Sequence, residues 1–221
     1  MNPNTVIFFS LMTSVLLAYQ SRTNAQTLRD TPELDRKVES YLAAHAGEWR
    51  DMNVPRSDAK QLYDLIIEGK YTRALEIGTS TGYSGIHIAW ALAKTGGKLI
   101  TIDIDEGRHR TAVAHFREAG LSDYVDARLA DAHELVKQLP GPFDFVFSDA
   151  DKEWYKNYFD DLEPKLSVGG CYATHNISGG GRGYGRGWNQ AYYDYVTGLP
   201  HFVSTMQPGS SLLVSHKTGK K

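Results

Sequence analysis

Arg73-Ala-Leu-Glu-Ile-Gly-Thr-Ser-Thr-Gly-Tyr-Ser84 is the stretch on which the fold turns. Ala74, Leu75 and Ile77 form an apolar run of the length of a buried strand. Gly78 and Gly82 break it, and an amphipathic run follows from Tyr83, so the order is strand, glycine turn, helix. That is the opening unit of a doubly wound α/β sheet, whose ligands sit at the carboxyl ends of the strands. Glycine lets the backbone turn sharply there and approach a ligand with no Cβ in between.

The glycine spacing discriminates between nucleoside cofactors. A dinucleotide fingerprint is G-x-G-x-x-G, with a pyrophosphate on the helix N-terminus. Here Gly78-x-x-x-Gly82 lacks the third glycine and follows an acid, Glu76. A carboxylate at that point is poor company for a pyrophosphate and suits a ligand carrying positive charge. S-adenosylmethionine, with a sulfonium, an amine and no phosphate, is such a ligand. The next strand ends in Asp103, placed to accept both ribose hydroxyls. Glu76, the Gly78–Gly82 turn and Asp103 therefore favour S-adenosylmethionine over NAD, and a transferase over a nucleotide-dependent oxidoreductase.

The alternation continues downstream. Strands are expected at residues 73–77, 98–103, 125–130, 143–149, 170–175, 202–206 and 211–216. Helices are expected between them at 83–94, 106–120, 132–139, 154–166 and 188–197. Strands alternating with helices predict a parallel sheet. The last two strands are joined only by Gln207-Pro208-Gly209, so one of them must run antiparallel. Ahead of the sheet lie two further helices, 34–46 and 57–67, expected to cover one end of it. Thr31 and Ser57 are their expected caps, with Gly69 closing the second.

At 221 residues the length suits one catalytic domain, expected over 26–221. The net charge of −2 gives no electrostatic reason to expect nucleic acid. Cys171 is the only cysteine, so no intrachain disulfide can form. Residues 1–21 carry no charged side chain, and Thr23-Asn24-Ala25 resembles a small-residue cleavage site. Residues 1–25 thus read as a secretory signal peptide, which implies an exported, periplasmic protein. The rival is an uncleaved membrane anchor through residues 1–21. Arg22, Arg29, Arg36 and Lys37 all follow the apolar run and would keep the catalytic domain cytosolic.

The residues most suggestive of chemistry are Phe143-Asp-Phe-Val-Phe-Ser-Asp-Ala-Asp-Lys152. A buried strand runs straight into Asp149, Asp151 and Lys152, charges with no packing explanation at a position where α/β sites form. The strand from Gly170 also ends in polar groups, His175 and Asn176. If those strands are neighbours, Asp149, His175 and Asn176 converge, and a carboxylate, an imidazole and an amide oxygen can hold a divalent cation. Lys152 beside such a cation is a candidate proton acceptor.

Taken together, Met52-Asn-Val, the Leu75–Ser84 turn, Ile100-Thr-Ile-Asp-Ile-Asp105, Ala130-Asp-Ala132, Phe147-Ser-Asp-Ala-Asp-Lys152 and Thr174-His-Asn176 resemble, in order, the metal-dependent O-methyltransferases of the catechol and caffeoyl-CoA type. The resemblance runs from about Thr31 onward. It implies a Rossmann-like seven-stranded fold and methyl transfer from S-adenosylmethionine to a hydroxyl of a small, catechol-like molecule; a homodimer is a further expectation. It implies that Val54, Glu76, Gly78, Ser84, Asp103, Asp131 and Ala132 line the cofactor site, joined there by Asp149. It further implies that Asp149 and Asn176 ligate metal and that Lys152 is the general base.

One position departs from the pattern. The family has Asp-Asn at the end of the fifth strand; this chain has His175-Asn176. Mg²⁺ prefers oxygen ligands, whereas imidazole suits Mn, Fe or Zn. Three readings stay open: a softer metal held by Asp149, His175 and Asn176; a weak or absent metal with His175 as a catalytic base; or a non-catalytic S-adenosylmethionine-binding protein. The glycine run 179–187 is expected to be a loop in which Arg182, Tyr184, Arg186 and the following Trp188 meet the substrate.

Overall fold

The computed structural model describes residues 32–177 and 189–220, so the N-terminal apolar run, Thr31 and the glycine segment with its arginines lie outside the described residues. Two helices come first, α1 (Pro32–Ala44) and α2 (Arg56–Gly69). The alternating part follows: β1 (Arg73–Ile77), α3 (Tyr83–Thr95), β2 (Lys98–Asp103), α4 (Glu106–Glu118), β3 (Val125–Leu129), α5 (Ala132–Gln138), β4 (Phe143–Ser148), α6 (Tyr155–Leu162), β5 (Leu166–Thr174), α7 (Gln190–Thr197), β6 (Phe202–Met206) and β7 (Leu213–Lys217). The strands form one seven-stranded sheet in the order β3-β2-β1-β4-β5-β7-β6. β7 is antiparallel to both its neighbours, and the other pairs are parallel. The strand order reverses between β1 and β4, which opens the crevice where a doubly wound sheet binds its ligand.

The period of a strand sorts the core into two layers. Ala74, Phe145, Phe147, Cys171 and Ala173 pack with α1, α2, α3 and α4. Leu75, Ile77, Val146 and Tyr172 pack on the opposite face with α5, α6 and α7. Glu76 shares the face of Ala74 and is therefore buried beneath α3. The ladders run one residue past the strand ends, since Asp149 N–H donates to Ile77 O at 2.9 Å and His175 N–H to Ser148 O at 3.1 Å. Asp149 and His175 accordingly continue the odd-numbered rows of β4 and β5 onto the face covered by α2. Leu62 and Ile66 of α2 are fully buried there, at about 1.5–3 kcal/mol each.

Several boundaries differ from the sequence reading for identifiable reasons. Ser57 does not cap α2; Pro55 is the cap, and its carbonyl accepts from the N–H groups of Asp58 and Ala59. Ser57 instead donates to Asp58 Oδ1 at 2.9 Å. Gly69 stays helical, and Lys70 takes the left-handed conformation that closes the helix. The helix expected over 154–166 stops at Leu162, because Pro164 has no N–H to continue it, and a 3-10 turn spans Glu163–Lys165. That turn feeds directly into β5, which starts at Leu166 and carries Gly169 and Gly170 within it. No described helix is long and apolar enough to cross a membrane.

Candidate active site

A cavity of about 510 Å³ opens at the strand reversal, inside the ~300–1,000 Å³ range of small-molecule sites. One wall is the β1–α3 turn. Gly78 there has φ +100°, and a Cβ on it would lie 3.0 Å from the backbone carbonyl of Asp149, so glycine alone keeps this wall in place. Ser80 follows at φ 47° and donates its N–H to Asp103 Oδ2 at 2.7 Å. Asp103 Oδ1 accepts the N–H of Asp105 at 2.9 Å. Each oxygen keeps a further acceptor position, and Asp103 lines the cavity.

The far wall is the start of α5. Asp131 caps that helix by accepting the His133 N–H at 2.9 Å, and Ala132 is its first residue. The His133 ring bridges Asp131 and Asp151, each at 2.8 Å, and stacks on Tyr158 with centroids 5.5 Å apart. Of the residues expected to bind cofactor, Gly78, Asp103, Asp131, Ala132 and Asp149 come together in this cavity. Val54, Glu76 and Ser84 stand outside it. Val54 lines a separate cleft between α1, α2 and α3, and Ser84 is buried in the first turn of α3. Glu76 accepts from Thr101 Oγ1 at 2.6 Å. Burial raises its carboxyl to about 7, against the pull of the Ser84 and Thr101 hydroxyls. The wall formed by Asp131 and Ala132, the missing Cβ at Gly78 and an acceptor at the β2 terminus fit S-adenosylmethionine.

The second group meets at the ends of β4 and β5. Asp149, Lys152, His175 and Asn176 all line the same cavity. Asn176 adopts φ 56°, which asparagine tolerates, and its carbonyl is held by Asn189 Nδ2 at 3.0 Å. Tyr155 OH donates to the His175 carbonyl at 3.0 Å. Lys152 Nζ donates to Asn176 Oδ1 in a short contact.

His175 has both ring nitrogens on carboxylates: Nδ1 lies 3.1 Å from Asp149 Oδ1 and Nε2 lies 3.0 Å from Asp58 Oδ2. Asp58 comes from α2 and is 1% exposed. An acid that deeply buried needs a charged or hydrogen-bonded partner. Burial alone would lower the His175 pKa, but the hydrogen bond and charge of Asp149, with those of Asp58, outweigh it and raise the pKa. Asp58 is the functional residue that the sequence reading missed. The signal was present: Asp58 is in phase with Leu62 and Ile66, a carboxylate on the apolar stripe of its helix.

The three expected metal ligands are thus brought together, but each makes a side-chain hydrogen bond, and the imidazole faces a carboxylate on both sides. Asp149 Oδ1 accepts from His175, Asn176 Oδ1 accepts from Lys152, and His175 has no free nitrogen. Among the described residues no group of three or more His, Cys, Asp or Glu side chains could hold a metal ion. With both imidazole nitrogens turned to Asp149 and Asp58, His175 offers no lone pair to an ion, so the residues as placed do not fit the three-ligand divalent site.

Known proteins match this architecture and this chain. The flavonoid 3',5'-methyltransferase of Vitis vinifera is 31% identical over 172 residues, which is 75% of this chain and 72% of that protein. Caffeoyl-CoA O-methyltransferase 1 of Eucalyptus globulus is 30% identical over 163 residues, 72% of this chain and 65% of its own length. The O-methyltransferase of Bacillus cereus, solved in complex with SAH, shares the fold with a TM-score of 0.66 at 24% identity, over 84% of this chain and 90% of that one. A caffeoyl-CoA O-methyltransferase-like structure from Staphylococcus aureus gives 0.69 at 20% identity, over 95% and 100%. The family profile described as O-methyltransferase matches residues 27–184. The chain therefore belongs to the O-methyltransferase family of S-adenosylmethionine-dependent enzymes.

Proposed function

We propose that this chain transfers a methyl group from S-adenosylmethionine to a hydroxyl of a small aromatic molecule, the substrate class in the names of its flavonoid and caffeoyl-CoA relatives. The observation that carries the reading is one shared cavity. It joins Lys152 and Asn176 to the Gly78 turn, Asp103 and Ala132.

When bound, S-adenosylmethionine supplies a methyl carbon on a sulfonium, whose C–S bond breaks with its electron pair passing to sulfur. Asp103 accepts the ribose hydroxyls, Gly78 leaves room for the chain that carries the sulfonium, and Ala132 with His133 walls the base. Lys152, as the neutral amine, takes the substrate hydroxyl proton, and the freed oxygen pair forms the new O–C bond. Alignment of that oxygen with the methyl carbon supplies much of the rate gain. His175, donating from both nitrogens, is not the base; it positions Asp149. No step here runs through a metal.

Calorimetric titration with S-adenosylmethionine and with NAD tests the cofactor, and turnover on a catechol panel tests the chemistry. Asp103→Ala should weaken S-adenosylmethionine binding ten-fold or more, from two charge-assisted bonds of about 1.5–3 kcal/mol each. Binding without turnover on any phenol would favour the non-catalytic reading.

The uncharged N-terminal run supports an exported protein. N-terminal sequencing from the native host separates the two fates of that run: a chain starting at Gln26 marks a signal peptide, and an intact start marks an anchor through residues 1–21. Sedimentation of the purified chain reads whether it pairs as a homodimer.

A further inference from the structure

Position 175 carries an imidazole where the resembled enzymes carry a metal carboxylate, and the change is not isolated. The ring reaches in two directions. Nδ1 meets Asp149 at 3.1 Å, and Nε2 meets Asp58 at 3.0 Å, on a helix that lies outside the strand-end cluster. Asp58 is held in turn by Ser57 Oγ at 2.9 Å and approached by Ser211 Oγ at 3.5 Å. A ligand nitrogen must offer its lone pair to an ion, whereas an imidazole facing an acceptor on both sides donates from both. Asn176 Oδ1, the remaining expected donor, is occupied by the Lys152 ammonium or amine. The two carboxylates at this strand end, Asp58 and Asp149, are therefore bridged by the His175 ring between them, with Lys152 on Asn176 beside them.

We propose that this site operates without a divalent metal, with His175 clamped between Asp58 and Asp149 and with Lys152 on Asn176 filling the place of the ion. His175 is then a positioning residue. It fixes Asp149 at the mouth of the cavity and ties α2 to the end of β5, so that the substrate oxygen is met by Lys152 alone. The inference rests on the methyltransferase reading for its chemistry but not for its test.

The decisive measurement is a Mn²⁺ titration of the full chain followed by electron paramagnetic resonance, which needs no turnover. The wild-type protein is expected to leave the Mn²⁺ signal free at millimolar ion. His175→Asp, which replaces the clamp with a further carboxylate beside Asp58 and Asp149, is expected to bind Mn²⁺ and to yield it to Mg²⁺. Methylation of a catechol by chelated, dialysed wild type should stay within about two-fold of the rate with Mg²⁺ or Mn²⁺ added, while His175→Asp should lose at least about ten-fold in chelator. Micromolar Mn²⁺ binding by the wild type, weakened in Asp149→Asn, would overturn the proposal, as would a wild-type rate abolished by chelation and restored by metal. If His175→Asp fails to fold, the wild-type titration still decides. If S-adenosylmethionine does not bind, the methyltransferase reading fails, and the Mn²⁺ result stands on its own.

Discussion

A single buried acid illustrates how charge is managed in this molecule. Asp58 sits at 1% exposure with its Oδ2 on the His175 ring. Removing one partner of such a pair leaves the other charge buried and uncompensated, at a cost of about 3–5 kcal/mol. Asp58→Ala is expected to lower stability by that order, read from the urea midpoint, and to weaken the hold on Asp149. A loss below about 1 kcal/mol would show that the pair contributes no more than an exposed one. Asp58 escaped the sequence reading because its neighbour, Ser57, matched the cap pattern, and a cap position leaves the next residues at the solvated start of a helix. With Pro55 as the true cap, the helix phase turns Asp58 inward beside Leu62 and Ile66.

The elements of the site were more legible than their edges. β1, β2 and β6 coincide with the expected runs, because each is short and has a charge, glycine or proline close to both ends. β5 was read as starting at Gly170, four residues late, since Gly169 looks like a turn but lies inside a strand whose exposed residues are Val168 and Gly169. The turn from β1 to α3 was legible because only glycine serves there. Gly78→Ala would force a Cβ into the left-handed region, at roughly 1–2 kcal/mol, and bring it to 3.0 Å from the Asp149 carbonyl. The expected outcome is a lower thermal midpoint together with weaker S-adenosylmethionine binding, whereas Gly209→Ala, with open space around its Cβ, should change only the first. Equal effects on binding from both would remove the special role of the β1 turn.

At the scale of the whole molecule, the buried ionisable groups give stability a pH slope. Glu76 holds its proton to about 7 when folded, against 4.5 when free, so the folded state binds more protons and loses stability as pH rises across that interval. His175, raised above its ordinary 6.5, contributes fully below that value and fades as pH climbs through its raised pKa. Buried His87 and surface His216, both lowered by desolvation, act in the opposite sense up to 6.5. The urea midpoint should therefore fall between about pH 6.5 and pH 8.5, and fall less in Glu76→Gln. A rise over that interval would contradict the clamp.

The same clamp has a consequence for how this sequence can change. His175 and Asp58 lie 117 residues apart in the chain, and each is tolerable only while something matches its charge. Changing one alone leaves a charge in the interior that only a new partner, a side chain or an ion, can match. A path from this centre to an ion-binding one, such as His175→Asp opens, therefore leads through a centre in which an ion must take over the charge that His175 supplied, and residue 58 decides which residues position 175 can hold.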